Sequence, residues 1–210
     1  MNSATGQPGG GLAGNPCPFL RALAEDGAVP RDRVSLRQVS SVVADAFAPP
    51  VSRTPVLLQV FGIGLIANGL APRSLWRTLR DGVRLDALRG GPLDKKGVGS
   101  RVLDQQGRVD EHQLDRFDEF AADFHDARTG VTESGLGIAQ LRTMMDANFA
   151  RAAGRRRRID RRLMESEWPV LLAVMGKPST EGTYLSLTEI RTLVTDRRLP
   201  ERVTGRLKSR

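Results

Sequence analysis

The sequence has one cysteine, Cys17, and two histidines in 210 residues. A lone cysteine excludes an intramolecular disulfide, so no disulfide framework holds the fold and nothing calls for an oxidising compartment. His112 and His125 are too far apart to share one helix face, which removes a histidine-pair metal motif. Aromatic residues make up only 5%, and no recognition helix, zinc motif or stacking signature of a nucleic-acid binder is present. Long hydrophobic runs are missing too. The most apolar stretch, Val56 to Ala67, is too short to span a bilayer and contains Gln59. Ser/His/Asp catalysis lacks a nucleophile elbow. Gly62, Gly64 and Gly69 fall in or at the end of an apolar helix, not in a phosphate loop. Asp104-Gln105-Gln106-Gly107-Arg108-Val109-Asp110 has the flavour of a calcium loop. With Gly107 at the invariant sixth position, however, the first ligand position falls on Val102.

What the chain does have is basic charge. Its 32 Lys+Arg against 24 Asp+Glu give +8, a balance that suits anionic partners in general. Most of these residues are arginines spread along amphipathic patterns, the mark of a solvated face. Only Arg155-Arg156-Arg157-Arg158, followed by Arg161 and Arg162, forms a dense run. Nucleic acid and membrane are therefore not expected as partners. Residues 1–14 are rich in Gly, Asn, Ser and Pro with no apolar core of a signal peptide, so they read as a flexible tail on a cytoplasmic protein. Residues 15–203 read as one domain, and 204–210 as a basic C-terminal tail.

Helical signals dominate. Ser35 with Gln38 forms a capping box and Val34 with Val39 a staple, ahead of Leu36, Val39, Val43 and Phe47 on one face. Thr54-Pro55 opens an apolar helix through about Ala67, expected to be buried all round. Leu75, Leu79, Val83 and Leu88 suggest shorter amphipathic helices. Asp110 with Gln113 starts another, carrying Leu114, Phe117, Phe120 and Phe124 at helical spacing, and Gly130 to Gly137 reads as a loop. A helix follows from Ile138 to about Ala153. Ser186 with Glu189 caps the last one, which stops at Leu199-Pro200. No hairpin signal stands out, and the predicted fold class is all-α, a single helical domain.

The stretch Asn15-Pro16-Cys17-Pro18-Phe19-Leu20-Arg21-Ala22-Leu23-Ala24 sets the lone cysteine between two prolines at the mouth of a helix. Pro18 suits the first helical position, and Gly27 stands where a C-cap glycine belongs. Cys17 is then the N-cap, its sulfur facing the N–H groups of Phe19, Leu20 and Arg21. Such donors at the positive helix end favour a thiolate, the form that binds metals and attacks electrophiles. A buried cysteine acting as a small hydrophobe is the other reading of the residue.

With its continuation Glu25-Asp26-Gly27-Ala28-Val29-Pro30, the stretch resembles the proximal motif of the heme-thiolate peroxidases, the chloroperoxidase and unspecific peroxygenase family. That family follows Pro-Cys-Pro with a Leu/Ala helix, a Gly turn and another proline. The resemblance implies heme b with Cys17 as axial iron ligand, Pro18 next to it, and Phe61 on a helix packed beside the heme. Asp94-Lys95-Lys96-Gly97-Val98-Gly99-Ser100-Arg101 is similar to the family's metal-binding segment. Asp94 takes the place of its Glu ligand to a Mg ion at a heme propionate. Lys96 and Val98 replace an Asp and a coordinating Ser, and Lys95 or Arg101 stands ready to neutralise the propionate directly. Ile138-Ala139-Gln140-Leu141-Arg142 resembles the distal acid–base segment, with Gln140 where the family has Glu. An amide cannot shuttle the peroxide proton, and Glu133 is the nearby substitute. The implied chemistry is peroxide-dependent oxidation of a small apolar or aromatic molecule in a pocket lined by Leu58, Phe61, Phe120 and Phe124. The alternative is a non-catalytic heme-binding or sensor protein with a degenerate distal site.

Overall fold

Pro18 opens a helix (α1, Pro18–Glu25) at its N1 position, with Cys17 as the extended N-cap residue. The helix ends in a Schellman motif. Gly27 adopts φ 75°, the Ala28 N–H donates to the Leu23 carbonyl at 2.9 Å, and the Gly27 N–H reaches the Ala24 carbonyl at 3.4 Å. The computed structural model describes residues 12, 14–47, 53–94 and 98–209. The expected tail 1–14 lies outside these apart from Leu12 and Gly14, and Leu12 is buried in the core.

A short strand (β1, Arg33–Val34) leads to α2 (Leu36–Ala46), α3 (Arg53–Ile66) and α4 (Pro72–Asp81), and a second short strand (β2, Val83–Arg84) pairs antiparallel with β1. Ser35 accepts the Gln38 N–H at 3.1 Å, the cap expected from the sequence. Gly82 turns the chain at φ 90° against the Val34 carbonyl, and a Cβ there would lie 2.5 Å from that oxygen. Gly82→Ala is therefore expected to lower stability by about 3 kcal/mol, read by urea unfolding. A loss under about 1 kcal/mol would mean that the turn relaxes freely.

The second half runs α5 (Glu111–Asp115), β3 (Ala122–His125), β4 (Thr132–Gly137), α6 (Ile138–Arg151), α7 (Arg158–Met175), β5 (Lys177–Ser179), β6 (Gly182–Ser186), α8 (Leu187–Thr195) and α9 (Glu201–Lys208). The all-α expectation is thereby corrected to a mixed α/β fold. Strands β3 to β6 form an antiparallel sheet in the order β3-β4-β6-β5. Phe124 leaves the helical face that its spacing predicts, because α5 stops at Asp115 and a 3₁₀ turn at Asp118–Phe120 feeds a strand. Gly130 to Gly137, expected to be a loop, holds β4. Its Leu136 pairs with Leu185 across the ladder, and both enter the core. The expected tail after Val203 is helical. Val203 is fully buried, and Arg206 donates to the Ala46 and Val174 carbonyls. Nor is α3 buried all round, since Leu58 is 69% exposed. Among the described residues, no helix is long and apolar enough to cross a membrane.

Candidate functional site

Cys17 borders a mainly apolar cavity of about 1120 Å³. Helices α1, α2, α3, α7 and α8 and residues of 89–94 and 99–105 form its walls, so it draws on segments far apart in the chain. This volume lies just above the usual range of small-molecule and cofactor sites. The cysteine is half-buried, and its backbone N–H donates to Asn15 Oδ1 at 3.0 Å. Asn15 is itself fully buried and fixes the turn that presents the cysteine. The sulfur makes no cap hydrogen bond to α1; the helix contributes its positive end, not a direct donor.

Several charged groups reach the same cavity. Arg89 lines it while donating to the Leu103 carbonyl at 3.4 Å and to the Asp104 carbonyl, and its buried Nε has no partner among the described residues. An unpartnered buried donor is costly and fits an anionic group absent from the protein itself. Arg101 also lines the cavity, held at φ 61°, a left-handed conformation that a non-glycine residue adopts at a cost. Arg155 and Glu167 add a further cation and a carboxylate to the wall. Glu167 lies one residue before Trp168, whose ring packs edge-on to Phe117 at 6.4 Å. No feature of the sequence marks Glu167; its place follows from α7 running past the cavity.

Other expected site residues fall elsewhere. Pro18 lines the cavity with Cys17. Phe61 is not among the lining residues and is 38% exposed. Leu58, Phe120 and Phe124 are likewise outside the lining, and Phe124 stacks on Tyr184 at 4.7 Å. Lys95 lies outside the described residues. Asp94 reaches the cavity wall but accepts the Gly90 N–H at 2.7 Å, and Val98 is buried with Met145, Ala152 and Met164. A Mg ion needs several oxygen ligands, and among the described residues no cluster of three His, Cys, Asp or Glu could hold a metal ion. Asp104, the head of the discarded calcium loop, accepts the backbone N–H groups of Arg108 and Gln106, at 2.8 and 2.9 Å. Those bonds, the Arg108 N–H first, hold its carboxyl below the usual range.

Gln140 sits in the first turn of α6 and Glu133 on β4, neither in the cavity lining. Instead Glu133 is the centre of a polar cluster on one face of the sheet. Lys177 donates to its Oε1 at 2.5 Å, Tyr184 to the same oxygen at 2.7 Å, and Ser186 to Oε2 at 2.7 Å. Glu189 joins through Lys177 at 3.6 Å and is clamped by Arg202. Burial pushes the Glu133 carboxyl up, but the donors from Lys177, Tyr184 and Ser186 outweigh it and hold the group below the usual glutamate range. Burial and the adjacent carboxylate push the Tyr184 phenol well up. With its oxygens engaged in this way, Glu133 is a structural anchor.

Three arginines of the basic run are similarly engaged. Arg156 stacks over Phe149 at 4.3 Å, Arg161 pairs with Asp146 at 2.8 Å, and Arg157 ties Asp160 to the carbonyls of Gly91, Pro92 and Asp94. No protein-family model, curated protein or solved structure matches the chain.

Proposed function

We propose that the protein is a heme-thiolate oxidoreductase, in which heme b would sit in this cavity with the Cys17 sulfur as its iron ligand. The observation that carries this reading is one juxtaposition. The lone cysteine, at the positive end of α1, borders a large apolar cavity whose wall also holds an arginine with an unpartnered buried N–H. Cys17 supplies the sulfur, the helix end stabilises its negative charge, and Asn15 sets its backbone. Arg89 and Arg101 offer donors to the carboxylates of the bound group. Heme bound through a thiolate supplies electron-rich iron that favours O–O cleavage. Glu167 is the carboxylate we assign to take a proton from peroxide and return it to the leaving oxygen. The apolar walls select a small apolar or aromatic substrate and exclude water. A cytoplasmic location goes with this reading.

A second reading, a non-catalytic heme carrier or sensor, is favoured by the position of Gln140 and Glu133 outside the cavity. Hemin titration separates the readings. The ferrous-CO complex of the loaded protein is expected to show the red-shifted Soret band of thiolate ligation, and peroxide with an aromatic reductant is expected to give turnover. Glu167→Gln should lower that turnover by about 100-fold and leave hemin affinity within about twofold. Thiolate-ligated heme without turnover supports the carrier; no hemin affinity sinks both.

A further inference from the structure

Five of the seven large apolar side chains exposed among the described residues lie between Leu58 and Leu79, on α3, α4 and the turn between them. Leu58 and Phe61 follow at i, i+3 on the outer side of α3, whose inner side lines the cavity with Val60, Ile63 and Gly64. On α4, Pro72, Trp76 and Leu79 recur at i, i+4, i+7, with Trp76 67% and Leu79 50% exposed. Arg73, Arg77 and Arg80 form the neighbouring stripe at the same spacing. Arg80 is held by Asp81 at 2.7 Å, while neither Arg73 nor Arg77 is ion-paired among the described residues. Asp81 is the one acidic residue between Arg53 and Asp81.

We propose that this face docks the protein peripherally on a membrane surface rich in anionic lipid. An apolar stripe bearing an exposed tryptophan, flanked along one side by arginines, is the pattern of a helix lying in the bilayer interface. The apolar residues enter the acyl boundary, and Arg73 and Arg77 meet lipid phosphates. A second copy is a poorer occupant, because the face offers no free carboxylate to pair with Arg73 and Arg77, its one acidic residue, Asp81, being held by Arg80. The lack of a spanning segment, which points the sequence away from membranes, does not bear on this mode. The inference stands independently of heme binding. If both hold, α3 separates the bilayer from the cavity, a path for a lipid-dissolved substrate.

The test is co-sedimentation of the full chain with vesicles of phosphatidylcholine alone or of equal parts phosphatidylcholine and phosphatidylglycerol. Binding is expected to the anionic vesicles, to weaken with salt, and to be negligible on phosphatidylcholine. Brominated lipid should quench Trp76, a signal lost in Trp76→Phe. Arg73→Gln with Arg77→Gln is expected to lower partitioning roughly tenfold or more, as is Leu58→Ser with Leu79→Ser, with far-UV circular dichroism unchanged. Failure to bind anionic vesicles, or unchanged binding by both double variants, overturns the proposal. So does lipid-free dimerisation that the same substitutions abolish, since the face would then be a contact between copies.

Discussion

Cys17→Ala is expected to remove the thiolate band from the ferrous-CO spectrum of the hemin-loaded protein and to weaken hemin binding by roughly tenfold or more. The fold should survive the change. The cysteine is half-buried and makes no cap hydrogen bond to α1, and the backbone bonds that build the turn, Cys17 N–H to Asn15 and Arg21 N–H to the Cys17 carbonyl, need no sulfur. Thermal unfolding of the apo form should therefore move by only a few degrees. That separation matters because apolar cavities take up hemin without any ligand, so affinity alone does not report the iron bond. Cys17→Ser keeps the shape and offers a weak oxygen ligand. Its complex should lose the thiolate band while binding hemin better than the alanine variant. An alanine variant that retains the band would place the sulfur away from the iron and end the heme-thiolate reading.

The legible part of the molecule is its helix punctuation. Pro18 and Gly27 bracket α1, Ser35 caps α2, and Asp110 accepts the Gln113 N–H at 3.1 Å at the start of α5. These signals are local, satisfied within a few residues of chain. The sheet is not legible because its signals are non-local. Thr132 to Gly137 carries two glycines and a serine, poor strand formers by propensity, yet the period-two glycines are what the sheet demands. A Cβ at Gly135 would meet the Tyr184 ring at 2.5 Å, and one at Gly137 the Phe124 ring at 2.9 Å. Gly-x-Gly followed by a distant tyrosine is the available clue. Phe117, Phe120 and Phe124 mimic a helical face, but β3 pairs with β4, and that pairing overrides the spacing. The site divides along the same line. Cys17 announces itself by its two prolines, whereas the cavity walls come from helices distant in sequence. Ser186 shows how tertiary context redirects a local motif. It occupies the N-cap of α8 as its spacing predicts, but its hydroxyl turns away from the helix and donates to Glu133.

That redirected hydroxyl is one of three donors that converge on Glu133 and tie β4 to β5 and β6. Glu133→Ala is expected to cost about 3 kcal/mol, measured as a lower urea midpoint with unchanged slope. The magnitude follows from what remains. Lys177 keeps Glu189 at 3.6 Å but loses its closer partner, and the Tyr184 hydroxyl, on a fully buried ring, loses its acceptor. Glu133→Gln keeps the shape and removes the charge, so it isolates the ionic part. Because the folded carboxyl titrates below its ordinary value, its stabilisation is complete above the unfolded glutamate range and disappears as pH falls through and below it. The stability gap between wild type and Glu133→Gln should therefore be widest near neutral pH and narrow in acid. A gap that stays constant into acid would show that the carboxylate's charge contributes nothing. Pairing Glu133→Gln with Lys177→Met supplies the second check. Removing both charges should cost less than the two single losses added together, since neither leaves the other stranded. Strict additivity would mean that Lys177 and Glu133 stabilise the sheet independently, and that the anchor lies in the Tyr184 and Ser186 hydroxyls instead.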